Sequence, residues 1–218
     1  VTVVADPSVS SSVNNASVCV GGTATLTASV SNGTGTISYQ WQNSTDNVTF
    51  TNIAGATLST YAAPTSLIGV IYYRVNITQT GNGCGGATSN STSVTVVGDP
   101  QPPSISNFTE CVGGVLQLNA ATTGGTPALT YQWQSSTDNI TFANIAGATA
   151  AVYQPSSAVA GVTYYRILVG AAGSGCDAAP PQTATVIIVA DPSILAQPTN
   201  LTECVGGTAA ISVTVTNG

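Results

Sequence analysis

The sequence contains no histidine, no lysine and no methionine, and charged residues make up 5% of its 218 positions, against roughly 25% in an ordinary soluble protein. The two basic residues are Arg74 and Arg166, and the formal net charge is -6. Binding to nucleic acid or to an anionic membrane surface requires several cations on one face of a protein. We therefore expect neither of these partners.

The absence of histidine also argues against catalysis. Imidazole is the usual base that activates a Ser or Cys nucleophile, and the eight acidic residues are dispersed along the chain. Closely spaced Cys pairs of the zinc-binding type are missing as well. Calcium needs several oxygen ligands, whereas Asp6, Asp99 and Asp191 are single acids. We predict no enzyme activity, no cofactor and no metal.

Long apolar runs are absent. Stretches such as 186–190 are far shorter than the ~18 residues of a membrane helix, so we expect no membrane insertion. The first residues, Val-Thr-Val-Val-Ala-Asp-Pro, have no features of a signal peptide and recur later in the chain. The sequence therefore looks like a window from a longer protein.

An internal repeat organises the whole chain. Pairs of identical residues are separated by 92 positions, namely Cys19 and Cys111, Trp41 and Trp133, Tyr72 and Tyr164, and Cys84 and Cys176. Asp-Pro recurs at 6–7, 99–100 and 191–192. We predict the end of a preceding repeat at 1–6, repeat 1 at 7–98, repeat 2 at 99–190, and the start of a truncated third repeat at 191–218.

The repeat length matches one immunoglobulin-sized (Ig-sized) domain rather than a solenoid unit. Runs rich in Thr, Val, Ile and Tyr alternate apolar and polar residues, and Gly, Asn, Asp and Pro separate them. This pattern predicts an all-β chain of tandem Ig-like β-sandwiches arranged head to tail, with essentially no helix. In repeat 1 the predicted strands are 23–30, 37–43, 48–53, 57–61, 70–78 and 91–97, with 45–47 as a hairpin tip, and repeat 2 is expected to reproduce them.

Several motifs occur in both repeats. They are Cys-Val-Gly-Gly, Tyr-Gln-Trp-Gln, Ile-Ala-Gly-Ala-Thr, Tyr-Tyr-Arg and Gly-(Asn/Ser)-Gly-Cys. In these motifs the chain resembles the Ig-like repeats of very large cell-surface adhesins of gliding, type IX-secreting bacteria. The resemblance covers essentially the whole chain and implies an extracellular spacer or adhesive filament at the surface of a bacterium.

The cysteines do not occupy the usual Ig positions. The common Ig bridge joins the centres of strands B and F, where this sequence has Leu26 and Val75. Cys19 lies seven residues before Leu26, and Cys84 lies nine residues after Val75. The two thiols of one domain are thus displaced toward opposite ends of the sandwich, although a disulfide needs Cα atoms within about 7 Å.

A head-to-tail array offers a different pairing. It brings Cys19 of repeat 1 toward Cys176 of repeat 2, and it leaves Cys84, Cys111 and Cys204 to partners outside the 218 residues. We slightly favour this interdomain bond. The alternative is pairing within each domain, Cys19 with Cys84 and Cys111 with Cys176. Either arrangement implies an oxidising, extracellular compartment.

Asn-x-Ser/Thr sequons are frequent, which makes glycosylation a hypothesis. The nine sites are Asn15, Asn32, Asn43, Asn47, Asn76, Asn90, Asn107, Asn139 and Asn200. The alternative is that Asn and Thr here are simply polar residues of turns and strand exteriors.

Two arginines and four aromatic residues are candidate binding residues. Arg74 and Arg166 suit an anionic ligand, but we favour packing of each along its neighbours. A sugar-stacking platform would need the residues Phe50, Phe142, Tyr61 and Tyr153 to share exposed faces, and we favour core and edge packing.

The function predicted from the sequence is mechanical. The repeats extend an adhesive region from the cell or assemble laterally into a fibre, and their first partners are the neighbouring repeats of the same chain. The alternative is a module that binds a glycan or a surface through avidity. Self-association through exposed strand edges is a third hypothesis.

Overall fold

The computed structural model describes residues 2–81, 83–126 and 128–216. It contains two compact units. The first comprises Val1–Pro102, Thr122–Thr130 and Val169–Pro180, and the second comprises Pro103–Ala121, Tyr131–Leu168 and Pro181–Gly218. The first unit therefore includes repeat 1 together with three segments of repeat 2, residues 99–102, 122–130 and 169–180.

Repeat 1 forms a sandwich of two sheets. Its strands are β1 (Ser8–Val13), β2 (Ser17–Cys19), β3 (Ala24–Ser31), β4 (Ile37–Ser44), β5 (Thr51–Asn52), β6 (Thr60–Ala63), β7 (Gly69–Gln79), β8 (Ala87–Thr88) and β9 (Thr92–Val97). One sheet has the order β1-β3-β6, and the other has the order β2-β9-β7-β4-β5, with β8 paired to β7. These two sheets confirm the all-β prediction for this repeat.

The core between the sheets follows from alternation along each strand. In β4 and β7 every second residue points inward, which buries Trp41, Tyr73 and Val75. Leu26 of β3 is buried in the same cluster. Leu26 and Val75 are both fully buried, so the positions of the usual Ig bridge are apolar core positions here.

Trp41 lies at the centre of this core. Its indole Nε1 donates a hydrogen bond of 2.9 Å to the carbonyl of Leu58, so its one polar atom is satisfied although the side chain is fully buried. Tyr61 packs beside the indole with ring centroids 6.3 Å apart, and Tyr73 packs on Tyr61. Burial and the neighbouring Tyr61 raise the pKa of Tyr73 to about 12.

The first two strands of repeat 1 belong to different sheets. β1 pairs antiparallel with β3, whereas β2 pairs parallel with β9. The register of the second pair places Cys19 opposite Val97. Cys19 is thus the last residue of β2, at the turn that leads into β3.

Repeat 2 has the same order of strands in its larger sheet, whereas its smaller sheet is reduced to two strands, with an isolated bridge between Ser104 and Ala121 where repeat 1 has β1. Its strands are β10 (Phe108–Cys111), β11 (Leu118–Asn119), β12 (Leu129–Ser136), β13 (Ala143–Asn144), β14 (Val152–Tyr153), β15 (Gly161–Ala171) and β16 (Ala179–Val189). The sheets have the orders β10-β16-β15-β12-β13 and β11-β14. β10 is parallel to β16, as β2 is to β9. Trp133 is fully buried and donates to the carbonyl of Ala150 at 2.9 Å.

The last described residues form one further strand pair, β17 (Ser193–Ala196) with β18 (Thr214–Thr216). Their positions match β1 and β3 of repeat 1. Ile194 and Val215 are exposed.

Several predicted strands were wrong in detail. The run 48–53 forms a strand only at Thr51–Asn52, because Asp46 binds the backbone of Val48 and Thr49 in a turn. The run 57–61 begins later, at Thr60. The prediction also missed β1, β2 and β8.

The described chain contains no helix, and consequently none that is long and apolar enough to cross a membrane.

Candidate functional site: the joint between the repeats

A disulfide joins Cys19 of repeat 1 to Cys176 of repeat 2, and both cysteines belong to the first compact unit. Their Cα atoms are 4.9 Å apart across a sequence separation of 157 residues. Cys19 ends β2, and Cys176 lies in the loop between β15 and β16. This is the bond that the displacement of the cysteines favoured.

Backbone and hydroxyl groups surround this disulfide with hydrogen bonds. The N–H of Cys19 donates to the carbonyl of Ser174 at 2.9 Å. The N–H of Thr23 donates to the Ser174 hydroxyl at 2.8 Å. On the other side, the Thr126 hydroxyl donates to Ser17 Oγ at 2.9 Å. We call residues 17–23 the Cys19 side, residues 124–126 and 173–177 the Cys176 side, and the whole contact the joint.

Glycine allows the two sides to approach closely. A Cβ at Gly22 would collide with the carbonyl of Ser174. Gly175, on the opposite side, has a φ of +76°, and a Cβ there would collide with the backbone of Gly22. Both glycines are therefore needed for backbone contact at this position.

The linker between the repeats takes part in the joint. Gly125 N–H donates to the carbonyl of Gly98 at 2.8 Å. The carboxylate of Asp99 accepts the N–H of Asp177 at 3.1 Å. Asp99 thus anchors the loop that carries Cys176.

The other cysteines form no disulfide within the described residues. Cys84 is half-buried, and Cys111 and Cys204 are exposed. The alternative pairings of Cys19 with Cys84 and of Cys111 with Cys176 are absent, because Cys19 and Cys176 are bonded to each other.

The sequons lie mostly at the surface. Six of the asparagines are exposed, namely Asn32, Asn47, Asn90, Asn107, Asn139 and Asn200, and three are half-buried, namely Asn15, Asn43 and Asn76. The amide of Asn15 donates to the carbonyl of Thr23. The amide oxygens of Asn43 and Asn76 accept hydrogen bonds from the hydroxyls of Thr51 and Thr88. Glycosylation stays a prediction.

The arginines pack on aromatic rings. The guanidinium carbon of Arg74 lies 4.1 Å from the centre of the Phe50 ring, and its Nε donates to Gln42 at 2.7 Å. Arg166, Phe142 and Gln134 repeat this arrangement in the second repeat. Packing along neighbours, rather than an open anion site, is therefore the role of these arginines.

The four aromatic residues of the suggested platform separate into two environments. Phe50 and Phe142 lie under the arginines, whereas Tyr61 and Tyr153 pack on Trp41 and Trp133. No stacking contact joins a Phe to a Tyr among the described residues, so a platform made of both is not formed.

The hairpin tips carry the most perturbed acids. Asp46 accepts hydrogen bonds from the N–H groups of Val48 and Thr49 and from the Ser44 hydroxyl. These bonds lower the pKa of Asp46 to about 2, and equivalent bonds, the Ser136 hydroxyl first, lower the pKa of Asp138. Asn47 and Asn139 have φ values of 59° and 57°. The positive φ values and these bonds confirm both predicted tips.

No group of three or more His, Cys, Asp or Glu side chains in the described part of the chain is placed to hold a metal ion. The polar residues of the joint, Ser17, Thr23, Thr126 and Ser174, were not singled out from the sequence. The cysteines, their Cys-Val-Gly-Gly and Gly-(Asn/Ser)-Gly-Cys motifs and the recurring Asp-Pro indicated this region, but no signal in the sequence indicated these hydroxyl groups.

Solved structures with a similar fold are tandem domains. One of them contains the three N-terminal domains of the bacteriophage RB49 highly immunogenic outer capsid protein (Hoc). It superposes on this chain with a TM-score of 0.54 and 16% sequence identity, over 97% of this chain and 69% of that one. The titin I-band fragment I67-I69 superposes with a TM-score of 0.52 and 14% identity, over 89% of this chain and 69% of that one. At these identities the likeness shows the fold alone, which is that of tandem Ig-like sandwiches.

No curated protein sequence matches the chain. A family model, described as Domain of unknown function (DUF8696), matches residues 9–98 and again residues 105–190. The two matched segments make up most of the chain and follow its internal repeat. The chain therefore belongs to the DUF8696 family and contains two copies of its domain.

Proposed function

We propose that the chain is a structural repeat segment of an extracellular adhesin stalk or filament, a mechanical spacer that projects from the surface of a bacterium. The observation that carries this proposal is the covalent joint between Cys19 and Cys176. A disulfide between neighbouring domains limits how far they separate under tension. The resemblance to repeats of gliding, type IX-secreted adhesins supports the assignment to the cell surface.

The joint changes the path of a pulling force. Tension applied at the two ends of the chain passes from Cys19 directly to Cys176 through the sulfur atoms. The residues between them, most of both sandwiches, lie in a closed loop. That loop is excluded from extension as long as the disulfide is intact. Such a path suits a stalk that must keep its length under shear.

We further propose that the segment has no catalytic role. The chain has no histidine. Asp46 and Asp138, the acids with lowered pKa values, already accept backbone N–H bonds within their own turns. These hydrogen bonds favour the ionised carboxylates, which stabilise the two hairpin turns.

Force spectroscopy of the chain pulled from both ends tests the mechanical role. The separation of 157 residues between the bonded cysteines corresponds to about 500 Å of extended chain, at ~3.3 Å per residue. We expect this length to be released only after a reductant is added. Release of the same length from the oxidised chain would show that the joint does not carry tension.

Antibody labelling of intact source cells tests the location. We expect label on unpermeabilised cells, and label that appears only after lysis contradicts an extracellular stalk. The force measurement is independent of this result.

A second candidate is a binding module that contacts a glycan or a surface through avidity. An apolar patch on repeat 1 favours it, since Leu67 and Ile68 are 82% and 69% exposed, and Val159 is exposed at the matching place in repeat 2. Isolated exposed apolar residues are common, but neighbouring ones mark contact surfaces. A glycan array probed with the two-repeat chain tests this candidate.

Self-association through exposed strand edges is a third candidate. Sedimentation of the same chain at rising concentration tests it.

A further inference from the structure

We propose that Cys84 and Cys111 are unoccupied halves of the same kind of joint, and that each takes a neighbouring repeat of this family as its disulfide partner. Cys84 is equivalent to Cys176, and Cys111 is equivalent to Cys19. The inference rests on the proposed function in one respect: a continuous series of such joints would reinforce a stalk. The structural argument depends on the two halves themselves.

The Cys111 side, residues 109–115, has the hydrogen bonds of the Cys19 side. The N–H of Gly114 donates to the carbonyl of Cys111 at 3.0 Å, as Gly22 does to Cys19 at 2.9 Å. Gly113 N–H donates to the carbonyl of Ser157 at 3.0 Å, and the Ser157 hydroxyl donates to the carbonyl of Gly114 at 2.6 Å.

Thr65 makes the same two contacts in repeat 1, accepting from Gly21 at 3.0 Å and donating to Gly22 at 2.6 Å. The φ angles of Gly21 and Gly113 are +82° and +81°. The turn that presents Cys111 is therefore built like the turn that presents the bonded Cys19.

The Cys84 side, residues 32–34, 81 and 83–85, likewise matches the Cys176 side. The N–H of Cys84 donates to the carbonyl of Gly81 at 3.2 Å, and the N–H of Cys176 donates to Gly173 at the same distance. The φ angles of Gly83 and Gly175 are +79° and +76°. Asn82, which takes the place of Ser174, lies outside the described residues.

The linker contact is repeated at the Cys84 side as well. Gly33 N–H donates to the carbonyl of Ala5 at 2.9 Å, as Gly125 does to Gly98 at 2.8 Å. Ala5 precedes Asp6-Pro7, just as Gly98 precedes Asp99-Pro100. The loop between β3 and β4 is thus held against the linker as its counterpart is in the completed joint, and Thr34 of this loop lies with its hydroxyl 3.4 Å from the Cys84 sulfur.

Exposure distinguishes the completed half from the open one. Cys19 is 0% exposed and Gly22 is buried, because the Cys176 side covers them. Cys111 is exposed and Gly114 is half-buried, although their turn is the same. A loop such as Gly-(Asn/Ser)-Gly-Cys, with glycine opposite Gly114, is the surface that fits this half.

Bond formation is an oxidation of two thiols. The thiols of Cys111 and of the incoming cysteine lose two protons and two electrons as the S–S bond forms. A low-molecular-weight disulfide, such as oxidised glutathione, accepts them by thiol–disulfide exchange and leaves as two thiols. Such oxidants are available in the extracellular compartment that disulfide-bonded proteins occupy.

An extended chain with residues 99–190 duplicated in frame after Ala190 tests the proposal. The duplicate carries Asp177→Glu as a mass label, because Asp177 uses only its backbone N–H in the joint. After oxidation with glutathione, we expect an unreduced digest to contain Cys111 of the first copy linked to the labelled peptide of the duplicate. Cys111 should then be at least tenfold less reactive toward a maleimide than in the parent chain.

The parent bond is an internal control for folding, since Cys19–Cys176 must form in both chains. The duplicate's own Cys111 is a second control and should remain reactive. With Cys19–Cys176 formed, a freely reactive first-copy Cys111, or a Cys111 linked to the Cys176 of its own repeat, overturns the proposal. Because the measurement uses purified protein, its failure is distinguishable from failure of cell-surface labelling.

Discussion

The backbone N–H of Cys19 donates to the carbonyl of Ser174, two residues before the cysteine to which the Cys19 thiol is bonded. The disulfide is therefore one part of a contact that also includes backbone, hydroxyl and carboxylate groups. We expect these groups to bring the two thiols together before they are oxidised.

Removal of the disulfide is expected to destabilise the chain. A double variant, Cys19→Ser with Cys176→Ser, should lose about 2–4 kcal/mol of unfolding free energy, because the unfolded chain is no longer constrained by a long closed loop. Urea denaturation followed by tryptophan fluorescence measures the change. Cys204→Ser is the control, since Cys204 is exposed and forms no disulfide in the described chain; an equal loss in both variants would contradict the prediction.

A methyl group at Gly22 should block the joint without disturbing its turn. Gly22→Ala places a Cβ against the carbonyl of Ser174, so we expect at least a tenfold slower formation of the Cys19–Cys176 bond during oxidative refolding, measured by thiol trapping. Gly114→Ala is a matched control, because the atoms nearest to a Cβ there, the Cys111 carbonyl and the Glu110 side chain, belong to its own turn and not to a facing loop. Equal rates for the two variants would show that close approach at Gly22 is unimportant.

The hairpin tips should make the stability depend on pH in acid. The folded-state pKa of Asp46 is lowered from 3.8 to about 2 by its backbone and Ser44 hydrogen bonds. A lowered pKa means that this stabilisation is present above about pH 4 and is lost as the pH falls toward 2. Asp46→Asn should lower the melting temperature at pH 7, and the difference from the parent should shrink between pH 4 and pH 2. A difference that is constant over this range would contradict the assignment.

Arg74 should stabilise repeat 1 through the stacking of its planar guanidinium on Phe50. We expect a double-mutant cycle of Arg74→Ala and Phe50→Ala to give a coupling of about 0.5–1 kcal/mol in unfolding free energy. Arg74→Lys keeps the charge but loses the planar guanidinium and its Nε bond to Gln42, and it should recover only part of the loss. Additive single variants, or full recovery by lysine, would exclude the stacking interaction.

Strands were predicted correctly where apolar and polar residues alternate strongly. They were missed where a segment becomes a strand only because a neighbouring strand pairs with it. β4 and β7 were predicted within two residues of their ends, because their buried faces are large and aromatic. β1 was missed because its sequence, Ser-Val-Ser-Ser-Ser-Val, has little strand propensity of its own. It forms because β3 offers a partner, and because the buried hydroxyl of Ser11 lies 2.7 Å from that of Thr92.

The sequence by itself determined the repeat of 92 residues, the all-β class, the central Trp41 and Trp133, and the displacement of the cysteines from the usual Ig positions. These features follow from local alternation and from spacing, which are visible in one dimension. Which cysteines meet was decided only by the tertiary structure. The pairing depends on the approach of two glycine-containing loops. Ser174 of one loop accepts hydrogen bonds from Cys19 and Thr23 of the other, and Asp99 binds the loop that carries Cys176. The bonded cysteines are 157 positions apart, so this approach exists only in the folded chain.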